Sequence, residues 1–209
     1  MPTGVAMRDV RTQLFDAAER VLVRAGVGAL TSRAVTAEAG CAKGVLHKHF
    51  ADFDEFLVEL VLDRTTRVRA RDVTLRAAAG TGTVAGNLAD ALTELFTSVA
   101  VALVALIIAR DELRARLWRA SQQSRAGFPP VSYPKGITLL AEATAMLAGY
   151  LGAERDLGRI APGADVEMVA LTLIGSGHLL FAGRDGTPPD DDEVLKMVNS
   201  AIAAARPAG

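Results

Sequence analysis

The sequence predicts an all-α fold in two helical parts, and three observations carry that prediction. Apolar residues recur at three- and four-residue steps along most of the 209 residues, the spacing of one face of an α-helix. No run of alternating β-branched residues is long enough to argue for a sheet. Hydrophobic residues make up 50% of the chain, and a chain of this length can bury a substantial core without disulfides or metal.

The first helix is marked by Val10, Leu14, Ala17, Val21, Leu22 and Ala25, and it ends near Gly26. Thr31 then offers an N-cap oxygen to a short helix over Ser32–Ala39. Gly40 follows it, the residue type that a left-handed C′ position favours. A second short helix, Lys43–Phe50, is too short to stand alone, so Leu46 and Phe50 at i, i+4 must anchor it on its neighbours. Asp52 caps the next helix with Glu55 three residues on, and Ala51 and Phe56 stand as a weak hydrophobic staple. Two short helices around a glycine turn, with a third helix packed across them, read as a helix-turn-helix, which lays its second helix in the major groove of DNA. The free face of that helix carries Lys43, Gly44, His47 and Lys48.

Beyond this unit, residues 77–87 (AAAGTGTVAGN) are small and glycine-rich. They separate the N-terminal part from helices expected at about Val84–Arg110, Asp111–Arg125, Pro134–Glu154, Ala164–Ala182 and Asp190–Ala205, with Gly127–Pro134, Gly158–Gly163 and Gly183–Pro189 as punctuation. The core of the first part closes earlier than the glycine-rich stretch. The expected division is therefore a helix-turn-helix domain over 1–60 and a larger helical domain over 61–209. Two late helices are apolar on more than one side. In 164–182, Val166, Val169, Leu173 and Leu180 lie on one face, with Leu171, Ile174 and Phe181 on another. Such a helix must be covered twice, and a second copy of the chain is the expected cover, with Ile174 in the interface.

Net charge is −1, which excludes a chain that coats nucleic acid along its length. Residues 1–50 nevertheless hold seven lysines and arginines against four carboxylates, and residues 61–76 five arginines against two. Phosphate contacts should therefore be few and local. The single Cys41 closes no intrachain bridge, and no cationic and apolar leader precedes the first helix, so the expected address is a reducing cytoplasm. The longest apolar run, Val99–Ala109, is eleven residues, well short of the roughly 20 that span a bilayer, and is expected to be a buried helix.

At Gly26, Thr31, Gly40, Ala42, Lys43, Gly44, Leu46 and Phe50 the sequence resembles the TetR family of bacterial transcriptional regulators. The resemblance covers Arg8–Leu60 in motif and the rest only in helical layout. It implies an all-α homodimer whose C-terminal domain holds a small-molecule effector pocket and whose two reading heads usually repress transcription until the effector binds. Departures accompany it. Family members commonly have Tyr where this chain has His47 and His49, a hydroxyl residue at Ala42, and a Lys near Phe53.

The DNA-contacting set expected from these residues is Thr31, Arg33, Ala42, Lys43, Gly44, His47, Lys48 and His49. Lys43 and Lys48 can reach phosphate or a guanine edge, and Gly44 lets backbone approach the duplex. Thr31 and Arg33 start the preceding helix, where amides help to hold phosphate. His47 and His49 can replace some of the missing donors, better when protonated. Two lysines on a short helix can also be no more than a solvated face, but the turn in front of them favours contact. His47 and His49 point roughly 200° apart on a helix, so they do not share a metal ion with Cys41, and no metal or cofactor is expected.

For the effector the candidates are Phe96, Trp118, Met146, Tyr150, His178 and Phe181, apolar walls with a few polar tips. Each is also ordinary core material. Gly175, Ser176 and Gly177 before His178 leave room for a ligand or, by default, for another helix. No nucleophile elbow, HExxH or phosphate-cradling loop is present, so an enzyme is not expected. The competing reading is a helical effector-binding or interaction protein whose DNA binding is weakened or lost, which the departures at Ala42, His47, His49 and Phe53 favour.

Overall fold

The computed structural model describes residues 4–97, 100–124, 138–182 and 187–206. Among them there is no strand. Ten α-helices follow in order: α1 Gly4–Ala25, α2 Ser32–Glu38, α3 Gly44–His49, α4 Phe53–Ala77, α5 Val84–Thr97, α6 Ala100–Ala109, α7 Asp111–Ser124, α8 Thr138–Asp156, α9 Val166–Ala182 and α10 Asp191–Ile202. Short 3-10 turns at Val27–Ala29 and Ala203–Ala205 complete the secondary structure. Packing divides the chain into two compact units. One holds the described residues of Met1–Asp63 and Ala102–Ile137, the other those of Arg64–Val101 and Thr138–Gly209.

In the first unit the caps act as the sequence implies. The Thr31 hydroxyl accepts the Ala34 N–H at 3.1 Å and starts α2. At the other end of α2, Gly40 adopts φ +67°, with its N–H donating to Ala37 and that of Cys41 to Thr36, at 3.1 and 3.0 Å. This is a complete Schellman motif. A side chain at Gly40 would meet the left-handed penalty of roughly 1–2 kcal/mol. Asp52 accepts the Glu55 N–H at 2.6 Å and starts α4. The reciprocal bond falls one residue early, since Glu55 accepts from the Ala51 N–H.

The six-residue α3 is held by its buried side. Leu46 is fully buried, and Phe50, which caps α3 at its C-terminus, is 2% exposed. The Phe50 ring lies 5.9 Å from Phe15 and 5.1 Å from Phe56, the latter edge to face. Leu14, Ala17, Ala18, Val21 and Leu22 of α1 and Leu30, Val35, Leu57 and Leu60 fill the same unit. Arg20 and Arg24 on α1 both donate to Glu38 at the end of α2, at 2.8 and 2.7 Å, and their hydrogen bonds hold its carboxyl below the usual range.

In the second unit α9 packs on α8, and α5, α9 and α10 pack on one another. Asp190 and Glu193 form a reciprocal capping box at the start of α10. The stretch expected as one helix over 84–110 is described as α5 and α6, with residues 98–99 outside the described set. At the end of α5 the Thr97 hydroxyl donates back to the Thr93 carbonyl. The expected punctuation at Gly127–Pro134, the first residues of the helix expected from Pro134, and Gly183 to Gly186 also lie outside the described residues.

Among the described residues no single helix is long and apolar enough to cross a membrane. The apolar run near 99–109 buries Leu103, Val104, Leu106 and Ile107 of α6. Gly177 on α9 is where another helix approaches. A Cβ there would stand 2.7 Å from the Phe96 ring of α5.

Because α3 depends on the packing of the Phe50 ring between Phe15 and Phe56, Phe50→Ala is expected to destabilise the protein by about 3–5 kcal/mol in urea unfolding.

Candidate DNA-reading surface

On the outward side of α3 and the turn before it, Ala42, Lys43, Gly44, His47 and Lys48 are exposed, and residues 41–50 contain no carboxylate. The surface therefore offers two ammonium groups, an imidazole and an open glycine backbone with no like-charged competitor for phosphate. A Cβ on Gly44 would meet nothing within 4 Å. Thr31 and Arg33 are exposed at the start of α2. The Thr31 oxygen is engaged as a cap, which leaves its hydroxyl hydrogen to donate outward.

His49 departs from this group. It is half-buried, and its carbonyl accepts a 3.3 Å hydrogen bond from Arg11 of α1. That follows from helical phasing, since residues 47 and 49 point to different sides.

Sequence reasoning missed three arginines that hold this surface. Arg11 pairs with Glu59, sits 4.5 Å over the Phe50 ring and bonds the end of α3. Arg110 donates to the Leu30 carbonyl at 3.4 Å, pairs with Asp54 at 3.6 Å and lies 5.7 Å over Phe53. Arg116 on α7 reaches Asp52 at 3.4 Å. Their partners lie 38 to 80 residues away for the three hydrogen bonds, beyond any local pattern. Phe53 stacks on Phe56 at 5.6 Å and 17° and faces Arg110, so the position serves packing.

The six ligand candidates do not form one group. Phe96 and Phe181 are 5.5 Å apart with His178 edge-on to Phe96 at 6.1 Å. Burial lowers the His178 pKa, and among the described residues its Nε2 has no hydrogen-bond partner. Met146 is buried on α8 beneath a cleft between α4 and α5. Tyr150 is fully buried, donating to Glu154 at 2.5 Å and accepting from Asn87 at 2.9 Å. Glu154 in turn accepts from the Gly80 N–H and pairs with Arg159. Trp118 is half-buried on α7, in the other compact unit. Among the described residues no group of three or more His, Cys, Asp or Glu side chains is placed to hold a metal.

Residues 14–60 match the family described as bacterial regulatory proteins, tetR family. Over this segment the chain is similar to that family of bacterial regulators. The segment contains the α2–turn–α3 element with its exposed lysines, and it ends at the buried Leu60.

Solved structures extend the likeness to the whole chain. A protein of Mesorhizobium loti assigned to the TetR family is 19% identical, with a TM-score of 0.63 over 93% of each chain. A transcriptional regulator from Rhodococcus sp. Rha1 is 18% identical, with a TM-score of 0.65 over 95% of this chain and 99% of that one. The regulator FadR from Bacillus subtilis, solved with stearoyl-CoA, is 17% identical, with a TM-score of 0.60 over 92% and 95%. At these identities the likeness establishes the fold. Among curated proteins none matches.

Lys43→Ala should weaken DNA binding and reduce the slope of log affinity against log salt by about 1, read by gel shift at several salt concentrations. Its thermal midpoint should stay that of the wild type because Lys43 is exposed. Burial and the hydrogen bond to Glu154 push the Tyr150 pKa up from 10.0 to about 12. Between those values the unfolded chain gives up the phenolic proton and the folded chain keeps it. The contribution is thus complete below pH 10 and is lost as pH rises towards 12. Tyr150→Phe should flatten that alkaline loss in thermal unfolding while costing about 1–3 kcal/mol at neutral pH.

Proposed function

We propose that the protein is a homodimeric transcriptional repressor that binds a near-palindromic operator through α3 and is released from it by a small-molecule effector. The observation that carries this reading is the acid-free, exposed face of α3, Lys43, Gly44, His47 and Lys48, inside a segment matched to the tetR family. Residues 1–60 serve as the reading domain and 61–209 as the effector-binding and dimerisation domain. Thr31, Arg33, Ala42 and His49 complete the DNA-contacting set, His49 through its exposed edge. That a protein of this fold, FadR of B. subtilis, was solved with stearoyl-CoA supports the effector step.

For the dimer, the relevant surface is narrower than the two-faced apolar pattern of α9. Ile174 is 2% exposed within the single chain, so Ile174→Asp would disturb the core and report nothing on assembly. The uncovered face carries Met168, Leu171 and Leu179, which are 56%, 40% and 74% exposed, with Gly175 between them. These positions recur at i, i+3, i+7 and i+11, a single helical stripe suited to a two-fold contact.

A second reading, an effector-binding protein with weakened DNA binding, rests on Ala42, His47, His49 and Phe53 standing where relatives carry phosphate-reaching groups. One experiment separates the two. Selection of bound DNA from a random pool by the purified protein should enrich a near-palindrome whose half-sites are centred about 34–36 Å apart or a multiple of that; a pool left unenriched favours the second reading. The double substitution Leu171→Asp, Leu179→Asp should give a folded monomer in sedimentation, and a persistent dimer would place the interface elsewhere.

A further inference from the structure

Within the second unit, the last turns of α4 and the first turns of α5 face each other across a cleft of about 260 Å³. It is bridged at both ends. At one end Arg71 pairs with Glu94 at 2.9 Å. At the other the Asn87 amide donates to the Ala78 carbonyl at 3.3 Å and is held by the Tyr150 hydroxyl at 2.9 Å. Between the bridges the floor is apolar, made by Leu75, Ala91 and the buried Met146.

Two polar side chains line the middle of the cleft, Thr74 from α4 and Asp90 from α5. Their positions follow from sequence spacing. Residues 71, 74 and 75 share one face of α4, with Ala78 just past its end, and 87, 90, 91 and 94 share one face of α5. The charges do not cancel. Arg71 is neutralised by Glu94, and the neighbouring cations on α4, Arg69 and Arg76, are paired with Glu142 and Asp72 at 2.7 Å each. Among the described residues, Asp90 remains as the carboxylate of the cleft without an ion pair.

We infer that this cleft binds a small organic amine in its ammonium form, the charged head on Asp90 and Thr74 and a short apolar or aromatic body on Leu75, Ala91 and Met146. An ammonium has three donors, which a carboxylate and a hydroxyl accept together, and a charge-assisted bond of this kind is about twice as strong as a neutral one. The volume lies just below the range of about 300–1,000 Å³ usual for drug-sized ligands, so the occupant is small. An anion is disfavoured because Arg71, the only cation among the described residues that line the cleft, is already paired. The inference deepens the effector reading above, and its regulatory half rests on that reading, whereas binding in the cleft does not.

Benzylamine, charged at neutral pH, is the probe, with benzyl alcohol and phenylacetate as neutral and anionic controls in titration calorimetry on the full chain. Benzylamine should bind and both controls should not. Asp90→Asn should weaken the affinity about tenfold or more, with the thermal midpoint unchanged because Asp90 is exposed. Ala91→Leu should abolish binding by filling the cleft while keeping every charge. Equal affinity in wild type and Asp90→Asn, preference for phenylacetate, or no benzylamine binding at all overturns the assignment. A gel shift with the selected operator separates the two claims. Calorimetric binding lost in Asp90→Asn without release of DNA supports the cleft and overturns its effector role. Release by benzylamine from wild type and Asp90→Asn alike supports an effector response and overturns this cleft as its site.

Discussion

The reading surface depends on the packing of one ring. A six-residue helix has no stability of its own in water, since isolated helices shorter than about 12–15 residues are marginal. α3 therefore exists as a helix only because Leu46 and Phe50 are withdrawn from water against Phe15 and Phe56. The aromatic contact also sets rotation. With residues 46 and 50 turned inward, 43, 44, 47 and 48 are turned out. The direction in which the lysines point is thus a consequence of where the phenylalanines go.

Polar contacts around this core act on orientation more than on stability. The ion pairs from Arg20 and Arg24 to Glu38 are exposed, and such pairs contribute little each. They do tie the end of α2 to α1 next to the glycine turn. Arg11 and Arg110 do more, because each combines a ring contact with a bond to a backbone carbonyl, at His49 and at Leu30. Those carbonyls close α3 and precede the cap of α2. The two arginines bracket the helix-turn-helix from its two ends.

In the second unit the corresponding constraint is the fully buried Glu154. A carboxylate there is tolerable only with its oxygens occupied, and Tyr150, the Gly80 amide and Arg159 occupy them. Arg159 is delivered by the turn at Gly158, whose φ of +73° closes α8 with the Gly158 N–H bonded to Arg155 and that of Arg159 to Glu154. Through Asn87, which bonds the Tyr150 oxygen and the carbonyls of Ala78 and Thr81, the same network fixes the connection between α4 and α5 and one end of the cleft between them.

The sequence by itself determined the helical class, the caps at Thr31 and Asp52, the glycine turn at Gly40, and which residues of α3 face inward. Each follows from interactions within a few residues, where spacing and side-chain chemistry are enough. Tertiary structure decided what depended on distant partners. It placed Ile174 inside and Leu171 and Leu179 outside on α9, and it brought Asn87 to the Tyr150 hydroxyl. It also brought Arg110 and Arg116 to the reading unit. Helical periodicity states that a face is apolar but not which neighbour covers it, and an arginine's sequence position says nothing of a carboxylate tens of residues away.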